Sequence, residues 1–232
     1  MLRWVSQVSR RYVWALATLL LASPAAVAPA QQATTIAISR YSSDVDRLLE
    51  QGLRFEREGR WGEALSHYEE AVRKFPGDQS LLRQFELARI HYDLGRRLAD
   101  RSFNEAVVRM PLERAVGLYE EVLQKIESHY VESPRWRQLV EHGMQGLQIA
   151  MDDPEFAARN LTAADPGSIE AFRRELDNLL ASRPVQSRYE AASLVSDAAR
   201  LGVVRLNAPP AAIVLEFLCG ATNSLDTYSA YL

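Results

Sequence analysis

A chain of 232 residues, 47% hydrophobic and 25% charged, can bury a sizeable core and suits one or two globular domains. Its formal net charge of −3, with no basic cluster, argues against nucleic acid as a partner. A single cysteine, Cys219, excludes an internal disulfide, so packing alone has to hold the fold.

Residues 1–30 read as a secretory signal peptide. Arg3, Arg10 and Arg11 precede an apolar run over residues 12–22, and SPAAVAPAQQ follows with small residues at Ala28 and Ala30. Cleavage near Ala30 predicts an exported protein, periplasmic or extracellular, with no membrane attachment once the signal is gone. An uncleaved anchor is the rival reading, but the apolar run is shorter than the ~20 residues a spanning helix requires. Cys219 lies far from the signal, so no lipidation box stands behind it. Losing the three arginines and no acid takes the formal net charge from −3 to about −6.

Residues 31–42, QQATTIAISRYS, are polar with scattered apolar positions and no sustained period, and are expected to form a tether. Ser43 with Asp46 has the form of a capping box and is expected to open the first helix, whose apolar stripe is Val45, Leu48, Leu49, Gly52 and Phe55. Gly59 closes that helix, residues 61–75 form the second, and Pro76, Gly77 and Asp78 turn the chain into a third over about residues 79–98.

The stretch GLRFEREGRWGEALSHYEEAVRKFP resembles one helix pair of the tetratricopeptide (TPR) family. Leu48, Gln51, Gly52 and Phe55, then Ala64 and Tyr68, then Pro76 fall on the pattern W-x2-L-G-x2-Y, A-x3-F, P, with departures at Leu48 and Gln51. The small residues mark the close approach of two antiparallel helices, and Phe55 and Tyr68 fill the space between them. A generic helical hairpin is the alternative. One such unit cannot bury its apolar face alone, so neighbouring helices are expected to stack on it. The spacing resumes at Ala88, His91 and Gly95, but its partner set, Ala115, Tyr119 and Val122, arrives late. That predicts a degenerate second repeat with an inserted loop or short helix around residues 99–110.

Further helices are expected from Ser133-Pro134 to about Met151, from Asp153-Pro154, from Asp165-Pro166 to about Leu180, over residues 187–207, and from Ala211 to about Ser224. No segment alternates with period two. The predicted fold is all-α: TPR-like antiparallel helix pairs over residues 43–132 continuing into a helical bundle over 133–232, with no sheet.

Residues able to carry chemistry are scattered. His67, His91, His129 and His142 include no i, i+4 pair of the kind that holds a metal on a helix. The acidic pairs Glu69-Glu70, Glu120-Glu121 and Asp152-Asp153 are adjacent in sequence, so their side chains diverge. No glycine-flanked serine, serine–lysine pair at helical spacing or glycine-rich phosphate loop occurs. No catalytic residue, metal or cofactor is therefore expected, and Cys219 reads as an inert thiol in an apolar helix. Continuing the repeat register, Asp46, Leu49, Leu53 and Glu56 should line a groove, with Arg89 and Asp93 nearby. The expected partner is a protein or peptide segment of basic or apolar character. TPR repeats that clamp a terminal carboxylate use lysine and asparagine in that groove, and these are missing here. The alternative is that the array packs only against its own chain.

The final stretch, Asn223-Ser224-Leu225-Asp226-Thr227-Tyr228-Ser229-Ala230-Tyr231-Leu232, resembles the end of the helical region that precedes the PDZ domain in tail-specific (carboxyl-terminal processing) serine peptidases. There a glycine-containing helix leads to a Leu-Asp-Pro run; Gly220 fits the helix and Thr227 departs from the proline. An earlier stretch, with Ile126, Tyr130, Val131, Leu139, Gly143, Gly146, Leu147 and Asp152-Asp153-Pro154, resembles another copy of that signature. The resemblance implies a non-catalytic front part of an exported peptidase, whose PDZ domain and serine–lysine core would lie beyond Leu232 and are possible docking partners of the helices. The alternative is a free-standing exported TPR-type interaction protein.

Overall fold

The computed structural model describes residues 29–130 and 133–225, with side chains described from Tyr41 onward. The described residues form an all-α structure of ten helices without a strand: α1 (Pro29–Arg57), α2 (Trp61–Lys74), α3 (Gln79–Ala99), α4 (Arg101–Arg109), α5 (Leu112–His129), α6 (Trp136–Asp152), α7 (Pro154–Asn160), α8 (Pro166–Ser182), α9 (Arg188–Leu206) and α10 (Pro210–Asn223). The chain divides into two units at Asp44, and the packing below concerns the second, Val45–Leu232. The signal peptide up to Ala28, Val131 of the earlier peptidase-like stretch, and residues 226–232 lie outside the described residues.

Cap chemistry accounts for most helix starts. Asp78, Asp100, Asp153 and Asp165 each accept two backbone N–H bonds in the following turn, and Ser187 accepts one from Glu190. Gly59 and Gly77 make the turns on either side of α2 at φ of 70° and 93°, a region open to glycine at no steric cost. Asn207 ends α9 in the left-handed conformation. The structure departs from two expected boundaries. Helix α1 begins at Pro29 instead of Ser43, so the expected tether over residues 31–42 is helical; neither proline nor glycine interrupts the sequence between Ala30 and Gln51. Helix α6 begins at Trp136, with Arg135 as its cap, instead of at the expected Ser133-Pro134.

Two apolar clusters form. The smaller joins α1, α2 and the first half of α3 through Val45, Ala64, Tyr68, Ala71, Leu81 and Ala88. Its closest approach is at Gly52, where a Cβ would lie 2.1 to 2.3 Å from the Tyr68 ring. The ring has nowhere to retreat, being fully buried with its hydroxyl donating to Glu56 Oε1 at 2.6 Å. The larger cluster takes Leu94 and Leu98 from the second half of α3 and combines them with α4 to α10. Ala115 and Tyr119 are fully buried, but in this larger core. The expected second repeat therefore does not close on itself: α3 packs on α2, whereas α5 packs on α9 and α10.

The tightest crossing in the larger core joins α6 to α10. Gly220 abuts the carbonyl of His142 and Gly143, and Gly146 abuts the carbonyl of Glu216. Gly143 in turn abuts Phe217, and Gly146 also abuts Gly220. Two glycine-bearing stretches far apart in sequence thus meet face to face.

Candidate protein-docking groove

The six residues expected to share a groove fall into two groups. On α1, Asp46 and Leu53 are exposed, Leu49 packs on the smaller cluster, and Glu56 is half-buried and occupied by the Tyr68 hydroxyl. Arg89 and Asp93 instead face α10: the Arg89 guanidinium donates to the Asn223 carbonyl, and Asn223 Nδ2 lies 3.5 Å from Asp93 Oδ2. The reason is helical geometry. Leu81 and Ala88 carry one face of α3 to α2, and the i, i+4 row of Arg89, Asp93 and Arg97 projects from another face.

That second row ends in an ion pair that the sequence reading missed. Arg97 Nη2 lies 2.7 Å from Glu216 Oε2, with only 6% of the glutamate side chain exposed. Burial pushes the Glu216 carboxyl up, and Arg97 opposes the shift. The signal was present in the sequence: Glu216 is the only charge in α10, and a charge on an apolar helix must find a partner. What one dimension does not give is the partner, 119 residues away.

Two depressions flank the row. One, of about 330 Å³, lies against Asp93, Arg97, Asp100, Phe103 and Cys219. Burial pushes the Cys219 thiol up to about 11, outweighing Arg97, which comes from α3 to stand near it. The other is a groove of about 290 Å³ with Leu82, Phe85, Arg89 and Ile90 of α3 on one wall, Gln138, His142 and Gln145 of α6 on the other, and Gly220, Asn223 and Leu225 at the end of α10. It continues along α6 towards Arg135 and Arg137. Arg89 Nε is buried in the wall of this groove, closed to solvent and without a hydrogen-bond partner.

Catalytic geometry does not assemble from the described residues. Ser128 Oγ lies 2.8 Å from His129 Nδ1, but that nitrogen is also 3.1 Å from the Lys125 carbonyl, which can only accept. Nδ1 therefore carries the proton and cannot act as the serine's base. His67 bonds the Leu48 carbonyl at 2.8 Å, and His91 stacks on Trp61 with ring centroids 3.8 Å apart. The acidic pairs divide into surface ion pairs and caps: Glu69 with Arg73, Glu121 with Arg114, Asp152 with Arg173, and Asp153 at the start of α7. Among the described residues no group of three or more His, Cys, Asp and Glu is placed to hold a metal, and no helix is long and apolar enough to cross a membrane. Comparisons of the chain with protein-family models, with curated proteins and with solved structures find no match.

Proposed function

We propose that the chain is a non-catalytic, exported protein-docking module: the helical front part of a tail-specific serine peptidase, fitted with a TPR-like helix pair. The observation that carries this reading is the groove formed where α3, packed against the TPR-like pair, meets the two glycine-bearing helices. Its α3 wall is the helix that packs next on the pair, and its other wall and floor are α6 and α10, the helices that bear the peptidase-like residues Gly143, Gly146 and Gly220. The α3 wall is apolar apart from Glu86 and Arg89, and the α6 wall offers two amides and an imidazole. An extended protein segment with apolar side chains and a carboxylate suits both walls, the carboxylate facing the positive charge of Arg89; this replaces the basic segment expected from Asp46 and Glu56, which lie outside the groove.

Fluorescence anisotropy of the full chain with short labelled peptides that alternate leucine with glutamate tests the proposal, with leucine–lysine peptides as the comparison. Saturable binding of the acidic series, lost in Ile90→Glu with thermal stability retained, is the expected result. Equal binding of both series, or binding that survives Ile90→Glu, refutes the groove.

A further inference from the structure

The end of α10 is held at the groove. The Arg89 guanidinium donates to the Asn223 carbonyl, and the Leu225 N–H donates to the Thr222 carbonyl at 3.2 Å. Leu225 packs on the larger core and lines the groove itself. Consecutive Cα atoms lie about 3.8 Å apart, so residue 226 starts beside the groove. The sequence that follows, Asp226 to Leu232, is Asp-Thr-Tyr-Ser-Ala-Tyr-Leu and lies outside the described residues.

Reach and chemistry both fit this segment to the groove. Extended, it spans at most ~23 Å, whereas α6 from Gln145 to Arg135 is ~15 Å long, so from Leu225 it can follow the whole groove. An extended backbone places Thr227, Ser229 and Tyr231 on one side, and Asp226, Tyr228, Ala230 and Leu232 on the other. The first side carries a hydroxyl on every residue and suits the amides of Gln138 and Gln145 and the His142 imidazole on α6. The second suits Leu82, Phe85 and Ile90 on α3, and its Asp226 carboxylate suits the charge of Arg89.

We propose that residues 226–232 are the groove's own ligand, lying in it as an extended segment and closing it to outside protein segments. The proposal rests on the docking reading above and adds its regulation: a partner binds by displacing the chain's own segment. Tethering at Leu225 lets even a weak contact compete. A segment on a short link acts at a millimolar effective concentration, so a contact as weak as ~1 mM lowers the affinity for an outside peptide by roughly three- to tenfold.

Two measurements on the full chain test this. The first is disulfide trapping in a Cys219→Ser background, with Ser229→Cys in the segment and a second cysteine on α6. That second site is Gln138→Cys or Gln145→Cys in the groove, or Gln148→Cys as the control, since Gln148 Nε2 lies 3.5 Å from Asp177 Oδ1 on α8. Oxidation within one chain should be about tenfold faster for at least one groove site than for the control, because a disulfide needs its Cα atoms within about 7 Å. The second is anisotropy of the leucine–glutamate peptides on Tyr228→Ser with Leu232→Ser, which strips the segment's apolar side and should raise affinity roughly three- to tenfold over the parent. Equal oxidation at groove and control sites, or disulfides only between chains, overturns the proposal. Peptide affinity unchanged by the two serines overturns it too, and leaves the docking reading standing. Preferential trapping in the groove, with no peptide bound by parent or variant, supports the segment's place and sinks the docking reading alone.

Discussion

Gly220→Ala tests the α6–α10 crossing with the smallest side chain available. The new Cβ would lie 2.4 Å from the His142 carbonyl oxygen and 2.7 Å from Gly143 Cα. Both neighbours are backbone, so no rotamer change relieves the contact, and the helices must separate. Overpacking of this kind costs about 1–3 kcal/mol. Against it stands the helix preference of alanine, roughly 0.5–1 kcal/mol. Towards the middle of these ranges the net is a loss of about 1–2 kcal/mol, or a fall in Tm of roughly 2–8 °C for a chain of this size. Gly117→Ala, with nothing within 4 Å, gains the preference without the clash and should raise Tm. Urea and thermal unfolding followed by far-ultraviolet circular dichroism measure both. If Gly220→Ala matches or exceeds the parent in stability, the two helices do not approach as described, and the floor of the groove is wrong with them.

Two buried tyrosines should respond oppositely to loss of their hydroxyls. Tyr68→Phe gives up the bond to Glu56 and should cost about 1 kcal/mol, whereas Tyr119→Phe removes a buried hydroxyl without a partner and should be neutral or stabilising in the same unfolding assay. Glu216→Ala strands Arg97 and should destabilise by about 3–5 kcal/mol; an apolar double replacement, Arg97→Met with Glu216→Leu, should recover most of that loss in urea titration. Burial holds His91 below its ordinary value, against the opposing pull of Asp153 and Asp152. The unfolded chain therefore takes up that proton first, and stability present above about pH 6.5 should be lost as pH falls towards the lower folded value; unfolding midpoints against pH should show a shallower decline in His91→Phe. The purified chain should turn over no peptide, since no described serine has a base and an oxyanion site beside it; turnover that co-purifies with the chain and survives protease inhibitors directed at contaminants would refute that.

What the sequence made legible follows from the range of the interaction behind it. Asp153-Pro154, Asp165-Pro166 and Ser187 named their helix starts because a cap acts within three residues. Gly52, Ala64 and Tyr68 were readable because the repeat pattern compresses a contact between adjacent helices into fixed spacing. The capping box at Ser43 misled for a related reason: a serine with an acid three residues on also fits inside a helix that began earlier, and nothing upstream as far as Pro29 breaks one. The later half of the repeat register failed at α5 because small and large residues at the right spacing specify a tight interface but not its partner. Ala115 and Tyr119 found theirs in the core with α9 and α10. The groove was illegible for the same reason. Arg89 and Asp93 carried a recognisable row on α3, yet the surface they meet is built from Gly220 and Asn223, more than a hundred residues on. Glu216 lies between these cases. As a lone charge in PAAIVLEFLCGATN it announced that a cation must come to it, and Arg97, eight residues after Arg89 on the same face of α3, is placed to do so only once α10 has packed against α6. The charge that positions α3 is thus fixed by a glycine crossing that neither α3 nor Glu216 encodes.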